Sequence, residues 1–226
     1  MKKAIIIYGL PGSGKGTQAN LIADKFNFVH FDTGKYIERY VHDPENQKNN
    51  LVKRERLNFD KGILCSPEWV LKIVREKSIS LAKAGYDVIF SGSPRTIFET
   101  FGDDKNIGII KILEKEYGKK NIKILFLKIS PETSIRRNSG RLICPICGAV
   151  IISYVHKNMT CPICLSKLKK RTLDNPKVIR IRHKEYMERT GPILDKLKKR
   201  GYKICEINGE QLPAKVLNAV SKCVKA

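Results

Sequence analysis

Short, uninterrupted apolar runs alternate along the chain with longer segments in which apolar residues return every three or four positions. Lys3–Gly9 predicts a strand buried on both faces, as in the interior of a parallel sheet. Lys15–Phe26 predicts a helix with Leu21, Ile22 and Phe26 on one face, and Phe28–Phe31 a second short strand. Thr33–Val41 and Gln47–Asp60 read as helices broken apart at Asp43-Pro44. Pro67–Ala84 carries Trp69, Val70, Ile73, Val74, Ile79 and Leu81 at helical spacing, and its leading proline suits a first turn. Further strands are predicted at Asp87–Phe90, Ile122–Ile129 and Tyr202–Ile207. Further helices are predicted at Lys105–Tyr117, Pro131–Ser139, Asn175–Arg200 and Leu212–Val224, with Gly140 as a stop. This alternation predicts an α/β fold with a doubly wound parallel sheet. Between Arg141 and Arg171 the periodicity disappears and cysteines take its place.

Composition narrows the class. The 226 residues allow one domain or a core with inserted pieces. With 42% hydrophobic and 29% charged residues, the chain is neither disordered nor fibrous. Apolar runs such as Ala4–Tyr8 fall far short of the roughly 20 residues that span a bilayer, so no membrane partner is expected. Lys2 and Lys3 before the first apolar run resemble the start of a signal peptide, but the glycine-rich stretch Gly9–Lys15 ends that run without a cleavage site. A cytoplasmic location with reduced thiols is the expectation. Lys plus Arg total 44 against 22 Asp plus Glu, a formal charge of +22. That excess suits a polyanion: nucleic acid, a membrane surface or phosphorylated small molecules. Lys outnumbers Arg 31 to 13, which favours a merely compositional surplus, because Arg is the better bidentate phosphate ligand. Composition leaves both readings open.

Gly9-Leu10-Pro11-Gly12-Ser13-Gly14-Lys15-Gly16-Thr17 lies between the first predicted strand and helix. Glycines there let consecutive backbone N–H groups turn toward phosphate oxygens, the helix N-terminus adds positive potential, and Lys15 reaches the outer phosphates. The common pattern ends Gly-Lys-Ser/Thr; here Gly16 intervenes and the hydroxyl arrives on Thr17. Gly9 to Ala19 in this form resembles the phosphate loop of adenylate kinases and their nucleoside-monophosphate kinase relatives. The likeness covers nearly the whole chain and implies a P-loop kinase with a helical monophosphate-binding insert and a small zinc-ribbon lid. In those terms 1–31, 66–139 and 175–226 would form the core, 32–65 the insert and 140–174 the lid.

On the acceptor side, Thr33-Gly34-Lys35-Tyr36-Ile37-Glu38 matches the family's Thr-Gly-Asp-x-x-Arg at Thr33 and Gly34 only. Lys35 and Glu38 invert the family's charges and can attract across one helical turn. A glutamate in place of a phosphate-binding arginine should repel the monophosphate. Gly62-Ile63-Leu64-Cys65 resembles the segment whose backbone meets the acceptor base, with Cys65 as an apolar filler. Gly92-Ser93-Pro94-Arg95-Thr96 resembles Gly-Phe-Pro-Arg-Thr, and Arg95 is expected to grip the acceptor phosphate through paired bonds. Ser91 stands where the family has an aspartate that holds magnesium through water. Glu99 replaces a glutamine that reads adenine. A carboxylate only accepts, which suits guanine or cytosine, so a GMP or CMP acceptor stands beside AMP; an exposed glutamate without a ligand is the alternative.

Cys144-Pro145-Ile146-Cys147 and Cys161-Pro162-Ile163-Cys164 are two knuckles of the kind that hold a closed, structural tetrahedral zinc, with iron as the alternative metal. Cys205 and Cys223 have no partner pattern and read as packing residues. The cysteine segment is bracketed by Arg137 and Arg141 before it and by Arg171 and Arg182 after it. The resemblance implies that these arginines surround the transferred phosphoryl group. It keeps one acid of a family pair, Asp174, with Leu173 in place of the other. Ile207-Asn208-Gly209-Glu210-Gln211 resembles the loop over the donor adenine, read by backbone near Gln211.

The implied activity is reversible phosphoryl transfer from ATP to a nucleoside monophosphate. Gly12, Ser13, Gly14, Lys15, Gly16 and Thr17 would hold ATP, and Mg²⁺ would be held with it by Thr17, Ser91 and water. A monomer is implied. The rival is a zinc-ribbon nucleic-acid binder with a degenerate nucleotide site. Ser166–Lys203 supports it with 14 basic and 4 acidic residues. Against it, the cysteine segment has no aromatic stacking platform, Tyr154 standing nearly alone.

Overall fold

The computed structural model describes residues 2–153, 156 and 158–225. Tyr154 lies outside the described residues. Strands β1 (Ala4–Gly9), β2 (Val29–Asp32), β3 (Val88–Ser91), β4 (Ile122–Lys128) and β8 (Ile204–Asn208) form one parallel sheet in the order β2-β3-β1-β4-β8. A second, antiparallel sheet orders β6 (Val150–Ile152), β5 (Arg141–Ile143) and β7 (Lys169–Lys170).

Alternate residues of the continuous apolar strands feed two separate cores, because successive side chains point to opposite faces. Ile6, Tyr8, Val88, Phe90 and Ile124 face one layer of helices. That layer includes α2 (Thr33–His42), α3 (Asn50–Lys61), α4 (Pro67–Lys83), α5 (Ile97–Phe101), α6 (Ile109–Tyr117) and, after α7 (Pro131–Ser139) and α8 (Pro176–Glu185), α9 (Gly191–Lys199). Ile5, Ile7, Ile89, Leu125 and Leu127 pack on the other side against α1 (Lys15–Phe26) and α10 (Pro213–Lys225). Helices on both faces explain why the strands carry no polar alternation. α7 (Pro131–Ser139) leads into β5, and α8 (Pro176–Glu185) leaves the segment that carries β7.

Three expectations are corrected. The basic stretch Asn175–Arg200 is not one helix: a π-helical turn at Tyr186–Thr190 separates α8 from α9, and Pro192, which lacks an N–H, opens α9. Residues Lys105–Gly108 precede rather than join α6, which begins at Ile109. Cys205 and Cys223 do have a partner, for they form a disulfide that ties β8 to α10 with Cα atoms 6.3 Å apart. Both still pack against the α1/α10 core.

Among the described residues, no helix is long and apolar enough to cross a membrane.

Candidate active site

The loop from β1 to α1 turns through Gly12 and Gly14, whose φ angles of 80° and 92° exclude ordinary side chains. A Cβ on Gly12 would also lie 2.7 Å from Asn138 Nδ2 on α7. Ser13 is buried and, among the described residues, its hydroxyl has no partner. Lys15 Nζ donates to the carbonyls of Gly9 at 2.7 Å and Leu10 at 2.9 Å. Burial pushes the Lys15 ammonium well below its ordinary pKa, and the Arg95, Arg182 and Arg141 guanidiniums add to this, with Asp32 opposing. Four cations from distant parts of the chain therefore act on one another at the phosphate loop, where phosphate oxygens would sit.

Arg95 lies four residues past the end of β3 and is held below the usual guanidinium range by burial, with Glu99 and Asp32 opposing. Arg182 on α8 is lowered to about 9 by burial and by Arg171, Arg141 and Arg95. Asp174 partly balances this group. Arg141 Nε donates to its Oδ2 at 2.7 Å, and Arg141 Nη2 donates to its Oδ1. Arg182 Nη1 lies 3.5 Å from the same Oδ1. Arg137 donates to the carbonyls of Gly209 at 2.9 Å and Glu210 at 3.1 Å, holding the turn that presents Gln211 to solvent.

Beside Arg95 opens a cavity lined by Gly34, Ile37, Phe59, Ile63, Leu64, Cys65, Val70, Gly92 and Glu99. Most of the predicted acceptor residues thus share one space. Thr33, Ser93 and Pro94 are buried next to it in sequence, and among the described residues the Thr33 and Ser93 hydroxyls have no partners. A Cβ on Gly92 would approach Arg95 Nη2 to 3.0 Å, so glycine there leaves the guanidinium its place. The Cys65 thiol is pushed up to about 12 by burial and by Glu55, so it is an inert wall rather than a nucleophile.

Two acceptor-side expectations change. Glu99 is not on an exposed turn: it is 2% exposed, and burial raises its pKa. Its Oε2 accepts from the Arg95 N–H at 2.8 Å and its Oε1 from Thr96 Oγ1 at 3.0 Å, while the Glu99 N–H donates to Thr96 Oγ1. This reciprocal cap starts α5. Glu38 does not pair with Lys35; Arg171 Nη2 donates to Glu38 Oε2 at 2.7 Å.

The four cysteine sulfurs of the two knuckles lie within 4.8 Å of one another. Cys144 and Cys164 sulfurs are 3.4 Å apart, and those of Cys147 and Cys161 3.6 Å. Thiolates at the usual zinc bond length stand about 3.8 Å apart at tetrahedral corners, so the set fits zinc with little adjustment. The Cys147 N–H points at Cys144 Sγ and the Ile163 N–H at Cys161 Sγ, as metal-bound thiolates require of their second shell. Among the described residues, Leu142, Cys144, Cys161 and Leu168 form the buried core there, with Ala149 and Ile151 packed against it.

The family model of adenylate kinase matches residues 7–202. This chain belongs to the adenylate kinase family. It is 33% identical over 214 residues to the adenylate kinase of Caldicellulosiruptor bescii, covering 92% of this chain and 93% of that protein. It is 30% identical over 219 residues to the adenylate kinase of Chlamydia pneumoniae, covering 97% and 96%. The adenylate kinase of Bacillus cytotoxicus is 31% identical over 211 residues, covering 92% and 91%.

Adenylate kinases use magnesium with ATP, and the donor set here suits that hard cation. The Thr17 hydroxyl is in the first turn of α1, and Ser91 and Asp32 are paired in register at the ends of β3 and β2. Asp32 was missed in the sequence because it precedes the Thr-Gly motif. Its available signal was the Asp-Thr step before a helix: its Oδ1 caps α2 by accepting from the Lys35 N–H. His30 was missed as well. Its Nε2 meets Ser91 Oγ at 2.6 Å and its Nδ1 meets Asn20 Oδ1 at 2.6 Å. The period-2 placement of His30 and Asp32 on one strand was the clue.

Proposed function

We propose that the protein catalyses reversible transfer of the terminal phosphoryl group of ATP to AMP. The observation that carries this reading is the convergence of Arg95, Arg141 and Arg182 on Lys15, at the junction between the phosphate loop and the Arg95 cavity. In the forward direction an AMP phosphate oxygen bonds to the γ-phosphorus while the bond to the β,γ-bridging oxygen breaks, leaving two ADP. Such transfer asks the protein chiefly for positioning and charge neutralisation.

Lys15 and the N–H groups of Gly12 to Thr17 hold the donor phosphates, with Ser13 as a spare donor. Arg95, with Arg171, holds the acceptor phosphate. Arg141 and Arg182 flank the moving group, and Asp174 keeps both in place when no nucleotide is bound. Arg137 supports the Gly209–Gln211 turn, whose backbone faces the donor adenine. Gly34, Ile63, Leu64, Cys65, Gly92 and Pro94 shape the acceptor pocket. Magnesium bound with ATP supplies neutralising charge to the phosphates. Residues 32–65 and 140–174 act as the insert and the lid that close on the core and exclude water.

Glu99 supports AMP over GMP or CMP. Each of its oxygens already accepts one bond, from the Arg95 N–H and from Thr96 Oγ1, which commits the carboxyl to the start of α5 rather than to a base edge alone. The chain acts as a monomer on these small substrates. A nucleic-acid role draws support only from the charge surplus.

A coupled assay across AMP, GMP, CMP and UMP, with zinc analysis on the same sample, tests the proposal. The expected result is a clear AMP preference with one zinc per chain. Salt-dependent RNA binding with no kinase activity overturns it.

A further inference from the structure

We propose that Asp32 supplies the carboxylate of the magnesium–ATP site, in place of the uncharged Ser91 at the end of the neighbouring strand. This inference rests on the ATP-dependent reading above and specifies one of its residues.

P-loop enzymes hold magnesium between a loop hydroxyl and an acid at a strand end. The ends of β1, β3 and β2 lie side by side here, with Ile7, Ser91 and Asp32 in one register row. Ser91 has no charge to give, and its hydroxyl is already committed. With His30 Nδ1–H donated to Asn20 Oδ1, His30 Nε2 accepts the Ser91 proton, which leaves the Ser91 oxygen free to accept from a water.

The two oxygens of Asp32 do different things. Oδ1 caps α2 at 3.1 Å from the Lys35 nitrogen. Oδ2 faces the phosphate loop: a Cβ placed on Gly16 would stand 3.9 Å from it. Among the described residues Oδ2 has no hydrogen bond or ion pair. Lys15 does not neutralise it directly, since that ammonium donates to Gly9 and Leu10 carbonyls.

A free carboxylate oxygen aimed at a triphosphate site repels the nucleotide unless a cation lies between them. Lys15 is needed by the phosphates themselves. A divalent cation whose water shell is shared by Asp32 Oδ2, Ser91 Oγ and Thr17 Oγ1 resolves the conflict, and oxygen ligands of this kind are what magnesium takes.

The test is binding rather than turnover. Asp32→Asn keeps the helix cap, because Asn and Asp are equally good N-caps, and removes the charge. Asp32→Ser is a second cap-competent variant should the first unfold. ATP affinity is measured by calorimetry with and without Mg²⁺, and Mn²⁺ affinity of the ATP complex by EPR. The metal is expected to bind about 10- to 100-fold more weakly to the variant complex. Metal-free ATP is expected to bind the variant as tightly as, or more tightly than, the unsubstituted protein. Asp32→Asn combined with Ser91→Asp is expected to restore metal affinity. A cap alone cannot produce effects of opposite sign on the two forms of ATP. If both forms bind the variants with an unchanged ratio, this inference is overturned and the kinase reading stands. If the unsubstituted protein binds neither form, the kinase reading falls and takes the inference with it.

Discussion

Arg171 Nη2 donates to Glu38 Oε2 at 2.7 Å across 133 residues of sequence, joining α2 to the segment that leads into α8. Both side chains are partly shielded, at 19% and 33% exposure. An anionic acceptor that uses Arg171 must therefore displace a resident carboxylate. Pairs of this exposure are worth about 1 kcal/mol, or roughly fivefold in binding. Glu38→Gln is expected to lower the KM for AMP about fivefold and to leave the KM for ATP unchanged. Steady-state kinetics with each substrate varied in turn checks this. A raised AMP KM would show instead that Glu38 holds Arg171 in its working position.

Lys15 makes the second case. It is surrounded by Arg95, Arg141 and Arg182, and burial already depresses its pKa, so its position is adapted to an anion rather than to the empty fold. Lys15→Ala is expected to reduce kcat/KM about 100- to 1,000-fold, as for other losses of a donor aimed at developing charge. Its thermal midpoint without nucleotide should be unchanged or higher, because one of four crowded cations is gone. Thermal unfolding with and without ATP separates the effects: ATP should stabilise the unsubstituted protein and fail to stabilise the variant.

What was legible in the sequence was local. The phosphate loop, Arg95 after its strand and the two cysteine knuckles each carry their chemistry within a few consecutive residues. The pairings that organise the site are not local. Arg141 with Asp174 spans 33 residues and Arg171 with Glu38 spans 133, so no spacing rule announces either. The inverted charges at Lys35 and Glu38 looked like a pair because they lie one helical turn apart, but a long-range guanidinium took the carboxylate. α5 is absent from the predicted elements although Thr96 caps it by accepting from the Glu99 N–H, because five residues give too little periodicity to see. The break between α8 and α9 was signalled by Gly191-Pro192, and the basic run on either side hid it.

The cysteine segment predicts its own dependence on metal. Among the described residues its buried core is Leu142, Cys144, Cys161 and Leu168, too little to hold three short strands by packing. β5 within it begins at Arg141, so loss of the metal should release an arginine of the site. Chelation of zinc is expected to abolish activity, to expose the segment to protease and to leave the helical signal of the sheet domain intact. Restored zinc should recover both protection and activity. Unchanged protease resistance after complete metal removal would contradict this account.

Glu99 yields a pH dependence whose sign follows from burial. Its carboxyl is pushed above the ordinary value of 4.5 by desolvation, against hydrogen bonds from the Arg95 N–H and Thr96 that favour the charged form. The folded protein therefore holds this proton at pH values where the unfolded chain has released it. The stability Glu99 contributes is fully present below 4.5 and is lost as pH rises through its raised folded value. Glu99→Gln keeps both contacts without titrating: the amide oxygen accepts from Arg95 N–H, and the amide nitrogen donates to Thr96 Oγ1. Thermal unfolding of both proteins from acid to neutral pH isolates the effect in their difference, since other carboxylates titrate alike in each. The variant should gain stability relative to the unsubstituted protein as pH rises past 4.5, and a flat difference curve would mean that Glu99 ionises as readily in the fold as in the unfolded chain.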